Sequence, residues 1–259
     1  MIIAKGFLFA AALLYLAGAA ITAAAFARSR RSWVVRGEAL VAGGLALHVL
    51  SCISCPYGEM NLQHVFSLLA LVLTAIYLIL RLFRRIEGLP LFLFPLVFCL
   101  SLVALVLPQE APAGPDLPHF LFLLHVFAVI AGIGGFLVGI LYAFLYLLQE
   151  RALKTKRWDA CPSFLPPLAK CDAWSVHSLW GGFSLYSLGI GLGMVWSAVS
   201  KGVLTSWTQK EVAALVAWGV FALLLAIRLK TGLRGKRAFL LYTVGILSIL
   251  AAIAGIRVF

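Results

Sequence analysis

Of the 259 residues, 63% are hydrophobic and only 12% are charged, about half the charged share of a soluble domain. A water-soluble fold of this length cannot bury so much apolar side chain, so a lipid bilayer must act as solvent for most of it. Lys and Arg outnumber Asp and Glu by 21 to 9, but they stand in short clusters between apolar runs, where they set topology and argue against nucleic acid as a partner.

A hydrocarbon core of about 30 Å takes roughly 20 apolar residues to cross as a helix. That length predicts helices near 7–27, 39–55, 62–83, 89–108, 119–149, 175–199, 211–229 and 238–257. The first carries Lys5 and the small-residue run Ala23, Ala24 and Ala25, as a cleaved signal peptide would. Arg28, Arg30 and Arg31 follow directly, oppose translocation and favour a retained helix. The second run is short. The fifth exceeds a single crossing and is expected to project past the membrane on one side. No linker or low-complexity segment interrupts the series. The expected fold is all-α, a polytopic membrane helix bundle of about eight transmembrane helices, with residues 1–259 as one membrane domain.

Counting basic residues loop by loop orients the bundle. With both termini outside, the inner loops hold Arg28, Arg30, Arg31 and Arg36, then Arg81, Arg84 and Arg85. They also hold Arg151, Lys154, Lys156, Arg157 and Lys170, and finally Arg228, Lys230, Arg234, Lys236 and Arg237. Only Lys5, Lys201, Lys210 and Arg257 remain outside. The expected location is a bacterial cytoplasmic (inner) membrane, crossed many times.

This topology sorts the ionisable groups, which are costly within a span and usually functional. His48 falls in the outer half of the second helix, His64 near the outer start of the third, and His119 and His125 in the outer first turns of the fifth. Only His177 falls near the inner face. Neutral imidazole is a common ligand of metals and of haem iron, so four histidines at one depth suggest a shared site. Each alone reads equally as a packing or interfacial residue. His119 and His125 are six apart, about 120° from alignment on a helix, so they do not ligate one iron from the same side. His125 is the deeper and better candidate; His119 follows Pro118 and can serve as a cap.

Cys52-Ile53-Ser54-Cys55 forms a C-x-x-C at the outer end of the second helix, on one face with His48. In an oxidising compartment it could form a disulfide or exchange thiols. No His follows it, so it is not a haem-attachment motif. Gly132, Gly135 and Gly139, with Gly182, Gly189 and Gly193, mark sides where the fifth and sixth helices approach neighbours closely, either for packing alone or to admit a flat ligand. No outer carboxylate pair, nucleophile–base spacing or phosphate loop supports an enzyme.

From His125 onward the residues form a recognisable pattern. The stretch LHVFAVIAGIGGFLVGILYAFLYLLQERALKTKR resembles the histidine-led helix of the HemX/CcsA-type cytochrome c assembly proteins. Leu185 to Gly193, through Trp196, is similar to that family's glycine-rich helix. SWTQKEVAALVAWGVFALLLAIRLKTGLRGKRA is similar to its tryptophan-rich outer segment, Lys-Glu pair, helix and basic loop. The resemblance is specific over 119–257, compatible before that around His48 and Asn61 to Ser67, and best fits the smaller HemX- and YpjD-like branch; the similar region runs over about 39–257.

The resemblance implies a haem-handling membrane protein of cytochrome c biogenesis, with haem b near the outer face against the loop at 202–211 and His125 as one of two flanking outer ligands. His48 or His64 could supply the second axial ligand, and Trp207, Lys210 and Lys201 could face the ring and its carboxylates. The chain departs from the family pattern in several places. The loop's acidic position is Thr208 and its proline position Gln209, the intramembrane histidine expected in the seventh helix is Ala226, and no histidine follows the eighth. Implied partners are haem and apocytochrome c or an assembly protein. Two other readings stand beside this one. The first is a HemX-type regulator of glutamyl-tRNA reductase acting from the cytoplasmic face, and the second is a thiol oxidoreductase using Cys52 and Cys55.

Overall fold

A computed structural model describes residues 2–54, 61–83, 88–107, 120–155 and 165–254. Among these residues the chain is helical throughout, without a strand. The elements are α1 (Ile2–Ala27), α2 (Arg31–Ser54), α3 (Leu62–Phe83), α4 (Pro90–Val106), α5 (Phe120–Lys154), α6 (Leu168–Lys201), α7 (Gln209–Thr231) and α8 (Gly235–Ala254). Seven are long and apolar enough to cross a membrane. The eighth, α4, has 17 residues and at about 1.5 Å per residue reaches only about 26 Å. The protein is thus an all-α, multi-pass membrane helix bundle. As expected, α5 is too long for one crossing, at 35 residues. The 34-residue α6 begins at Leu168 rather than near 175, because Lys170 and Asp172 look like loop residues in sequence but ride on a helical first turn. His119 and Cys55 lie outside the described residues.

The chain packs as two compact units, Met1–Asp116 with Ala152–Pro166, and Leu117–Arg151 with Pro167–Phe259. In the first, α1 and α2 run antiparallel with their backbones nearly touching. A Cβ on Gly18 would lie 2.9 Å from the Gly37 carbonyl oxygen, and one on Gly44 would lie 2.7 Å from the Tyr15 ring. Helices attract in lipid through such close packing, since hydrocarbon offers no hydrophobic gain for association. α4 lies against both α1 and α3, where Tyr77 meets Phe94 edge-on at 5.1 Å.

In the second unit the expected glycines bring α5 and α6 together. A Cβ on Gly135 would stand 2.7 Å from Gly182 Cα, and one on Gly132 would stand 2.7 Å from the Tyr186 nitrogen. The register is antiparallel, pairing Gly132 with Tyr186, Val129 with Gly189 and His125 with Gly193. Phe136 of α5 stacks on Phe221 of α7 at 3.6 Å, and Gly245 lets α8 close on the same Phe221 ring.

Candidate functional site

The antiparallel register carries His125 of α5 onto the glycine notch of α6. Its Nδ1 lies 2.7 Å from the Gly189 carbonyl oxygen, and its ring covers Gly193, where a Cβ would stand 2.7 Å from Cε1. A carbonyl oxygen can only accept, so Nδ1 carries the proton and the lone pair of the neutral ring sits on Nε2. This is the tautomer of metal-ligating histidines, whose other nitrogen donates to a backbone carbonyl and fixes the ring. Phe122, one turn earlier, has its ring centroid 6.3 Å from the imidazole and 5.6 Å from the Trp196 ring, so one aromatic ring flanks the half-buried histidine and meets a second in turn.

The loop from α6 to α7 lies at the same end of the unit. α6 stops at Gly202 in the left-handed conformation. Thr208 then caps α7, its hydroxyl accepting from the Glu211 nitrogen, while the Glu211 carboxylate accepts from the nitrogens of Ser206 at 2.9 Å and Thr208 at 3.3 Å. Between them Trp207 has a φ of 52°, uncommon for a bulky residue, and its indole is 70% exposed. The carboxylate thus tightens the loop while the indole faces outward. Lys210 and Lys201 are exposed nearby in sequence. The Thr-x-x-Glu spacing at 208–211 is legible in sequence as a capping box.

The remaining histidines differ in setting. His48 is fully buried in the first unit, with Nδ1 3.3 Å from the Tyr15 hydroxyl and Nε2 2.9 Å from Ser67 Oγ. His64 sits in the first turn of α3, where its backbone N–H donates to Asn61 Oδ1 at 3.0 Å. His177 is exposed, with Nδ1 on the Ala173 carbonyl at 2.6 Å. Among the described residues no group of three or more His, Cys, Asp or Glu side chains could hold a metal ion. Cys52 is half-buried.

Two ionic clusters were not singled out in the sequence. At the far end of the second unit, Arg228 is buried, pairs with Asp172 and donates to Ser175 Oγ at 3.0 Å. Arg234 holds the other Asp172 oxygen at 2.8 Å, and the Tyr242 hydroxyl donates to the Ser175 carbonyl at 2.7 Å. Arg228 is therefore no solvated loop charge. In the first unit Glu38 accepts from Tyr77 at 2.6 Å and Arg81 at 2.8 Å. An acidic residue and an arginine isolated in apolar helices are the only sequence signal for either cluster.

Comparison with known proteins matches this arrangement to one family. The model of the cytochrome C assembly protein family matches residues 59–259. The chain is 30% identical over 151 residues to the cytochrome c biogenesis protein CcsA of Chlamydomonas reinhardtii, covering 58% of this chain and 41% of that protein. To CcsA of Heterosigma akashiwo it is 25% identical over 233 residues, covering 76% of this chain and 72% of the relative. To CcsA of Guillardia theta it is 28% identical over 180 residues, covering 62% and 60%. No solved structure matches the chain. Since the family model covers well over half of the sequence, including the His125 helix, the glycine notch and the Trp207 loop, the protein belongs to the cytochrome c assembly protein family.

Proposed function

We propose that the protein serves cytochrome c biogenesis by holding haem b at the His125 end of its second unit, where apocytochrome c or another assembly protein can reach it. The observation that carries this reading is the Nδ1 bond from His125 to the Gly189 carbonyl, which leaves Nε2 as the ligating nitrogen on a ring fixed over Gly193. Phe122, Trp196 and the outward Trp207 offer flat apolar surface for a macrocycle, and Lys210 and Lys201 offer positive charge for its carboxylates. Bound haem would supply the iron porphyrin that a c-type cytochrome requires.

A second axial histidine is to be identified spectroscopically, with His48, His64 and His119 as the sequence candidates. His48 would have to release the Ser67 hydroxyl to offer Nε2. The test is spectroscopic, on the full chain in detergent. Wild type with added haem should show a Soret band, and His125→Ala should lower the affinity ~100-fold. A preparation that stays colourless after haem is added would sink the reading. Alanine variants at His48, His64 and His119 identify the second ligand as the one whose loss turns a six-coordinate spectrum five-coordinate.

A further inference from the structure

Beyond His125, α6 holds a buried hydroxyl without the usual helical partner, a condition that among the described hydroxyls only Thr22 of α1 shares. Helical serines and threonines in an apolar setting return their proton to the carbonyl four residues back. Thr74, Ser101, Ser200, Thr231, Thr243 and Ser248 all do so, at 2.8–3.0 Å. Ser197 does not. It is 7% exposed, and among the described residues its Oγ has no hydrogen-bond partner. A buried polar group without a partner is costly and calls for an explanation.

Its position supplies one. Gly189, Gly193 and Ser197 follow at intervals of four and so lie on one side of α6. Gly189 accepts from the His125 ring and Gly193 lies beneath it. Continuing the α5–α6 register one turn outward brings Ser197 opposite Leu121 and Phe122, consistent with the contact between Phe122 and the adjacent Trp196. The orphaned hydroxyl therefore stands one helical turn outward from the imidazole, on the same helix face.

Resting on the haem reading, we infer that Ser197 is a ligand-binding residue of the His125 site, donating its hydroxyl proton to a carboxylate oxygen of the bound haem. No bond is made or broken covalently. The ligand-free protein carries the unsatisfied hydroxyl, and the anionic oxygen satisfies it with a charge-assisted hydrogen bond. The cost of burying Oγ thereby becomes selectivity for a ligand with an acceptor at that point, since one lacking it leaves the hydroxyl orphaned.

Ser197→Ala and Ser197→Thr, in the full-length protein, test this by the rate at which bound haem passes to excess apomyoglobin. Ser197→Ala should release haem about tenfold faster, and Ser197→Thr, which keeps the hydroxyl, should restore the wild-type rate. With haem dimethyl ester, whose carbonyls still accept but carry no charge, the difference between wild type and Ser197→Ala should shrink clearly. The ligand-free Ser197→Ala protein should melt no lower than wild type, because it loses an unsatisfied group; a merely structural serine would lower both melting temperature and retention. Equal haem release by wild type and Ser197→Ala, or a difference undiminished with the ester, overturns the inference while leaving the His125 reading intact. A wild-type protein that takes up no haem overturns both.

Discussion

His48 and His125 sit in opposite chemical situations. In the first unit both ring nitrogens of His48 face hydroxyls, Tyr15 on one side and Ser67 on the other, and the ring is fully enclosed. In the second unit one nitrogen of His125 is tied to a backbone carbonyl, and an unpartnered buried hydroxyl, Ser197, lies a turn away. A polar group satisfied on every side joins α1, α2 and α3, as interhelical hydrogen bonds do in lipid. A polar group satisfied on one side only is oriented for something else. An unpartnered polar atom alone does not mark a ligand site, since Thr22 of α1 is buried without a partner too; what distinguishes the second unit is the orphaned hydroxyl one turn from an imidazole held through a single nitrogen.

Substitutions can break or sharpen that contrast. The largest effect belongs to His125→Ala, with haem affinity falling ~100-fold in a Soret titration while the melting temperature changes little. Gly193→Val should come close to it, because a Cβ there meets the His125 ring at 2.7 Å. Gly191→Val, where an added Cβ meets nothing within 4 Å, should retain haem. Equal losses from the two glycine variants would show that the notch is not what holds the ring.

Next comes the end of the second unit opposite His125. Arg228→Met leaves Asp172 partly buried without its enclosed partner, and breaking such a pair costs about 3–5 kcal/mol. This should appear as a lower thermal midpoint in detergent with the haem spectrum of the surviving protein unchanged. His48→Ala removes a satisfied partner of Tyr15 and Ser67 at a cost of about 1–2 kcal/mol. If it instead abolishes a six-coordinate haem spectrum, His48 is an axial ligand and the contrast between the two histidines fails. The smallest effect is expected at Arg234→Ala, whose side chain is 63% exposed and whose ion pair is worth about 0–1 kcal/mol.

Most of the architecture is legible from apolar run lengths, because the bilayer demands a fixed length of satisfied backbone. The eight expected spans coincide with eight helices. The main discrepancies are in length: α2 starts at Arg31 and α6 at Leu168, well before their apolar runs near 39 and 175, and α4 is shorter than a full crossing. His125 and the glycines beneath it are marked in the sequence by residue type and placement, and the Trp207 loop by the family resemblance. Ser197, Asp172 and Arg228 were not, since a serine in an apolar helix and an arginine in a basic loop look ordinary.

The sequence by itself determined the number of spans and which helix ends carry charge, because hydrophobicity and length act locally along the chain. It also named His125, because the residues around it carry the family pattern. Only tertiary structure decided that Gly189 and Gly193 face His125, that the proton sits on Nδ1, that His48 is enclosed by hydroxyls and that Arg228 is buried against Asp172. Those facts depend on which face of one helix meets which face of another, and that is set by close packing of small residues far apart in the chain.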